Sequence, residues 1–157
     1  MSIDAVKRYF SNFGVEHKVR ELDSSSATVE LAAETLGCKP ERIAKTLSFL
    51  VGEKPILVVT AGDVKIDNAK YKATFGAKAK MIAFGDVERL VGHDVGGVCP
   101  FAVNDGVKVY LDESLKRFQT VFPACGSANS CIELTIPELE EYSRFLCWVD
   151  VCKKSEG

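Results

Sequence analysis

Two runs of strand-forming residues, Lys45 to Val51 and Pro55 to Thr60, flank the short link Gly52-Glu53-Lys54. Such runs, joined by a brief glycine-containing link, read as a β-hairpin. It is the clearest structural signal in the chain, and the other elements alternate quickly around it. Ile3, Val6, Phe10 and Phe13 recur at helical spacing, with Ser2 placed to cap the run and Gly14 to end it. Val15, His17 and Val19 alternate with charged residues, as on a half-buried strand. Beyond Ser24-Ser25-Ser26, Thr28 to Leu36 reads as a helix closed by Gly37, and Pro40 suits the first turn of a short helix leading to Ala44. After the hairpin, Asp67 caps a helix ending before Gly76. Lys80 to Phe84 reads as a strand and Asp86 to Val91 as a short helix ended by Gly92. A glycine-rich loop runs from His93 to Pro100. Val107 to Leu111, Phe118 to Phe122 and Cys131 to Leu134 are strand candidates. Thr135-Ile136-Pro137-Glu138 is a capping box that starts a helix to about Tyr142, and Phe145 to Val151 is the last strand candidate. Short strands mixed with short helices predict α+β or mixed α/β, with a curved sheet or partial barrel.

Composition sets the outer limits. At 157 residues the chain has room for one domain, and 46% hydrophobic residues suffice for a core without staples. The formal charge of −2 excludes a polycationic nucleic-acid binder that works by phosphate neutralisation alone. It leaves room for a weaker, geometry-limited encounter with RNA; DNA and membrane are not expected partners. The N-terminal residues carry no apolar run of signal-peptide length, and no stretch approaches membrane-spanning length, so a cytoplasmic location is expected. The six cysteines form no C-x-x-C pair, and only His17 and His93 could join them as ligands. No metal site is therefore expected, and most of these thiols read as small buried hydrophobes.

Several segments could carry chemistry. Period two places Lys45 on the side of Leu47, Phe49 and Val51, so its ammonium either snorkels out from a strand end or enters a pocket, where it would hold an anion or oxyanion. Gly96-Gly97-Val98-Cys99-Pro100-Phe101 is either a tight turn or a loop whose main-chain N–H groups approach a ligand. Gly126-Ser127-Ala128-Asn129-Ser130 is a turn or a set of small polar substrate contacts. Cys99 and Cys125 could be nucleophiles, with His93 the only histidine near them in sequence. Lys65, Lys70, Lys72, Lys78 and Lys80 form a basic run, which is a solvated face unless it shares a groove with Lys45.

Taken in order, these landmarks resemble the YbaK/EbsC (prolyl-tRNA synthetase-associated, ProX-like) family of aminoacyl-tRNA deacylases. The resemblance rests on Ala32 to Gly37, Ile43-Ala44-Lys45-Thr46-Leu47 and Val58 to Asp63. It continues through Val95-Gly96-Gly97-Val98-Cys99-Pro100-Phe101 and Gly126 through Leu134. It implies a mixed α/β fold, one domain over residues 1–157 with a twisted, barrel-like mixed sheet surrounded by short helices. It also implies hydrolysis of the ester in a mischarged tRNA, Cys-tRNA(Pro) or another small aminoacyl group, with no metal or organic cofactor. The aminoacyl acceptor end of tRNA would be the partner, with prolyl-tRNA synthetase a second one. Lys45 matches the family's functional lysine, and Gly96 to Pro100 its substrate loop. By that carry-over Lys45 and Gly97 are the expected catalytic residues. Thr46, Gly96, Val98, Cys99, Pro100, Phe101, Gly126, Ser127 and Cys131 are the expected substrate contacts. The resemblance also implies that the substrate's own thiol or ribose hydroxyl can replace an enzyme nucleophile. Cys99 stands where many relatives have serine, Ala102 where a glycine often follows the proline, and Cys131 where cysteinyl deacylases carry an aspartate. Those departures motivate a competing expectation, a non-catalytic module of the same fold that binds an aminoacyl or nucleotide ligand or a synthetase. A cysteine-dependent enzyme is a third, resting on cysteine count alone.

Overall fold

The computed structural model describes residues 2–24 and 28–155, so Ser25 and Ser26 of the serine run lie outside the described residues. In chain order the elements are α1 (Ser2–Ser11), β1 (Arg20–Glu21), α2 (Val29–Leu36), β2 (Ile43–Val51), β3 (Lys54–Ala61), β4 (Val64–Ile66), α3 (Asn68–Phe75) and α4 (Val87–Val91). They continue with β5 (Lys108–Asp112), β6 (Thr120–Pro123), β7 (Ser130–Cys131), β8 (Leu134–Thr135), α5 (Ile136–Ser143), β9 (Cys147–Val149) and β10 (Cys152–Lys154).

The hairpin forms where expected. β2 and β3 pair antiparallel, from Ala44 opposite Ala61 to Val51 opposite Lys54. They are the centre of a six-stranded mixed sheet in the order β8-β6-β2-β3-β5-β9, curled into a half-barrel. β6 joins β2 in parallel, β5 joins β3 in parallel, and β9 joins β5 in parallel. With neighbours on both edges and cover on both faces, β3 reads as an unbroken apolar run, and Leu57, Val58 and Val59 are wholly buried. The apolar face of α1 closes one side. Its Phe10 ring lies 4.8 Å from that of Phe101 and 5.7 Å from that of Tyr142.

The helix caps follow the sequence closely. Thr28, Asp67 and Thr135 each accept a main-chain N–H at a helix start, and Gly37, Gly76 and Gly92 end helices in the left-handed conformation. Ser2 departs from expectation: it is the first helical residue, and its hydroxyl donates to the Gly126 carbonyl rather than to its own helix end.

Four strand readings and one helix reading need correction. Val15 to Val19 is a 3-10 turn, because Lys18 and Val19 donate back to Val15 and Glu16, and pairing begins only where Arg20 meets Cys131. The turn opened by Pro40 stops at Arg42, since Ile43 is already paired with Phe122. Lys80 to Phe84 makes one bridge, Met81 to Phe49, before turning at Phe84–Asp86. Cys131 to Leu134 splits into β7, which pairs with β1, and β8, which pairs with β6, as the chain crosses from a small sheet to the main one. The last candidate, Phe145 to Val151, narrows to β9. A further ribbon, β4 with β10, carries no prior signal.

Candidate functional site

The site originates in a parting of strands. β2 and β6 pair only at Ile43–Phe122 and Ala44–Pro123. Past those two pairs β6 turns away, and the edge of β2 opens at Lys45 and Thr46. A cavity of about 110 Å³ occupies the gap. Val29, Ala32 and Leu36 of α2 form one wall, and Val95, Gly96 and Val98 of the glycine-rich loop another. Phe122, Ala124, Ser130 and Cys131 line the rest, with β2 contributing Ile43 to Thr46. The structure thus brings Lys45, Thr46, Gly96, Val98 and Cys131 together from three separate stretches of sequence.

Lys45 does not snorkel freely into water. Its side chain is half-buried and its Nζ donates to the Val64 carbonyl. Burial lowers its pKa from the ordinary 10.5, while Cys152, Asp63 and Glu30 pull the other way. The neighbouring Thr46 Oγ1 is buried and has no hydrogen-bond partner among the described residues. A buried hydroxyl left unpaired costs roughly 1–3 kcal/mol, so its position in a cavity wall suits a ligand group. The Cys131 thiol is pushed up to about 11 by burial, which keeps it neutral. Among the described lining residues Lys45 is the one cation and there is no anion.

The loop holds its place by close packing. Gly97 lies behind the wall, and its N–H donates to the Asp94 carbonyl at 2.9 Å. A Cβ at Gly97 would sit 2.4 Å from the Gly126 carbonyl carbon and from the Ser127 nitrogen, so only glycine allows this approach. Gly126 has φ +95, and its own Cβ position is 2.8 Å from the Ser2 backbone. The glycine-rich loop therefore rests on the 126–127 turn, which rests on the start of α1. Ser127 Oγ donates to Ser130 Oγ at 2.7 Å, steadying a wall residue from behind.

Three expected contacts point elsewhere. Cys99 is buried in the core, 3.5 Å from His93 Nε2 and 3.7 Å from the Phe101 carbonyl, and burial pushes its thiol up to about 12. His93 Nε2 is also 2.6 Å from the Phe101 carbonyl, and desolvation lowers its pKa. A protonated thiol beside a desolvated imidazole, away from the cavity, is not an activated nucleophile. Pro100 borders a different depression with Tyr9 and Arg144, and the Phe101 ring is buried against Phe10. Of the basic run, none lines the cavity, and Lys70 is held by Asp150 at 3.1 Å and the Cys152 carbonyl at 3.0 Å. The sequence reading missed Phe122 and the apolar face of α2, while Ser130, offered as one of the small polar contacts of the 126–130 loop, does line the cavity. Apolar wall residues look like any core residue until the divergence of β2 and β6 is known. No group of three or more His, Cys, Asp or Glu residues suited to a metal occurs among the described residues. No described helix is long and apolar enough to cross a membrane.

The curled six-stranded half-barrel with its helices matches the fold of small α/β trans-editing domains. One solved structure, described provisionally as a trans-editing enzyme for prolyl tRNA synthetase, has a TM-score of 0.86 at 28% identity over 99% of this chain and 98% of that one. Another, the hypothetical protein APE2540, has a TM-score of 0.84 at 26% identity over 95% of this chain and 99% of that one. Residues 23–142 match the model of the aminoacyl-tRNA editing domain, and the chain belongs to that family. Among curated relatives, the uncharacterized protein YwhH of Bacillus subtilis is 55% identical over 99% of this chain and all of its own length. The proline–tRNA ligase of Bacillus cytotoxicus is 26% identical over 102 residues, 64% of this chain but 18% of the ligase.

Proposed function

We propose that this protein hydrolyses the ester of a mischarged aminoacyl-tRNA, acting in trans on a tRNA that a prolyl-tRNA synthetase has charged with a small amino acid. The observation that carries the reading is that Lys45, Thr46, Gly96 and Val98 line one small cavity. Val29, Ala32, Leu36 and Phe122 give the side chain of a small amino acid an apolar wall to lie against. In this reading the amides of Gly96 and Val98, which line the cavity, face the ester carbonyl. Gly97, whose N–H is already engaged, positions them. Lys45 supplies positive charge where the tetrahedral intermediate becomes negative. Water adds to the carbonyl carbon, the bond to the ribose oxygen breaks, and the proton lost by water ends on that oxygen. A hydroxyl or thiol of the substrate relays it, consistent with the raised thiol pKa of every buried cysteine near the cavity.

A panel of alanyl-, seryl-, threonyl- and cysteinyl-tRNA(Pro) tests this directly. Turnover of at least one member is expected, with Lys45→Ala reducing kcat about 10²- to 10³-fold while the fold is retained. If every member survives high enzyme concentrations, the catalytic reading fails. Binding of charged tRNA without turnover would identify a non-catalytic module instead.

A further inference from the structure

The depression that Pro100 borders shares no lining residue with the cavity, and separate observations fall on it. One is a hydroxyl without a partner. Ser143, the last residue of α5, lines the depression and is 2% exposed, and its Oγ makes no hydrogen bond among the described residues. A buried hydroxyl is costly to leave in that state, and a ligand seated here would meet it. Another is backbone strain. Ala102 and Arg144, with φ 53 and 51, are the non-glycine residues of positive φ among the described residues, and both line this depression. Strain of that kind gathers where a site holds its residues in place. The last is charge. Arg144 and Asp105 are the charged lining residues; both are exposed, and neither joins an ion pair among the described residues. The Arg144 guanidinium carbon lies 5.6 Å from the centroid of the Tyr9 ring, another lining residue.

We propose that this depression binds a free α-amino acid with an apolar side chain, at a site separate from the cavity. The pattern of charge decides the class of ligand. The planar fork of Arg144 matches a carboxylate, and the Ser143 hydroxyl donates to the same group. A phosphate or other polyanion is disfavoured on two counts. Asp105 cancels the one positive charge of the lining, and α5 ends here, presenting the negative pole of its dipole. Those same two features hold an ammonium. The lining thus offers one positive and one negative anchor, the complement of a zwitterion. Val103, Val107 and Val109 add an apolar wall for the side chain. Because no residue is shared with the cavity, the assignment stands whether or not the chain deacylates tRNA.

The test is a binding titration of the full chain, by calorimetry, with L-valine and L-leucine. L-valinamide and N-acetyl-L-valine serve as probes that each lack one of the two charges. Wild type should bind at least one of the amino acids, and each derivative roughly tenfold or more weakly. Arg144→Gly removes the guanidinium while suiting the left-handed backbone, and should weaken binding by roughly tenfold or more. Ser143→Ala should also weaken binding. Because it deletes an unpaired hydroxyl, it should leave the Tm of the ligand-free protein unchanged or higher, so lost binding is not lost folding. Lys45→Ala should bind as wild type does, which separates this depression from the cavity. Binding that Lys45→Ala abolishes, or that Arg144→Gly leaves intact, overturns the site. So does equal binding of L-valine and N-acetyl-L-valine, or no binding of either amino acid up to its solubility limit.

Discussion

Among single residues, Ala102 carries an unusual backbone. It follows Pro100 and Phe101 with φ 53, in the left-handed region that an L side chain enters at a cost of about 1–2 kcal/mol. Glycine pays no such cost but loses more freedom on folding, so Ala102→Gly should gain roughly 0.5–1 kcal/mol. For a chain of this size thermal denaturation should show Tm rising by about 1–4 °C. Lys45 makes a second statement at this scale. Desolvation favours its neutral form, so the ammonium is lost, as pH rises, below the ordinary value of 10.5. If the charged form is the working one, the alkaline limb of kcat/KM for deacylation lies below pH 10.5. The linked stability runs the other way: the folded chain holds this proton less tightly than the unfolded chain, so stability gains as pH climbs through that window.

At the scale of elements, α5 shows how much a local motif can specify. Thr135 accepts the Glu138 N–H at 3.2 Å, and Glu138 accepts the Thr135 N–H at 2.9 Å, so two helix-end donors are satisfied reciprocally. Thr135→Ala should cost about 1 kcal/mol by chemical denaturation. The Thr135 N–H holds the Glu138 carboxyl below its ordinary 4.5, with Lys18 adding to the effect. Its contribution is therefore complete above about pH 4.5 and fades as pH falls through the lower folded value, a dependence that Glu138→Gln should remove. This helix was legible because its signals are local, as were α2, α3 and the central hairpin. Elements whose existence depends on a distant partner were not. β1 is two residues long and exists because Arg20 meets Cys131; β4 exists because Cys152 to Lys154 return to it. Lys80 to Phe84 has strand-like composition but finds β2 for only one bridge. The site divides in the same way. Lys45, the glycine loop and Ser130 announce themselves, whereas Phe122 and the α2 face become wall residues only through the parting of β2 from β6.

For the whole molecule, the informative residue is Asp112, buried at 1% exposure on β5. Its carboxylate accepts the Ser114 N–H and the Val151 N–H, each at 2.9 Å, and so fastens the C-terminal segment to the sheet. That segment supplies β10, which pairs with β4, whose Val64 carbonyl receives the Lys45 ammonium. Asp112→Ala should strand two amides and cost roughly 2–4 kcal/mol by chemical denaturation. It should also speed hydrogen exchange in β4 and β10 and, on the proposed deacylase reading, lower kcat by loosening the Lys45 anchor. On the far side of the cavity, Ser2 props Gly126, which props Gly97 and the glycine-rich loop. Two segments far from the cavity in sequence thus bear on it: a load on the first turn of α1 passes to the loop, and a load on β10 passes to the lysine.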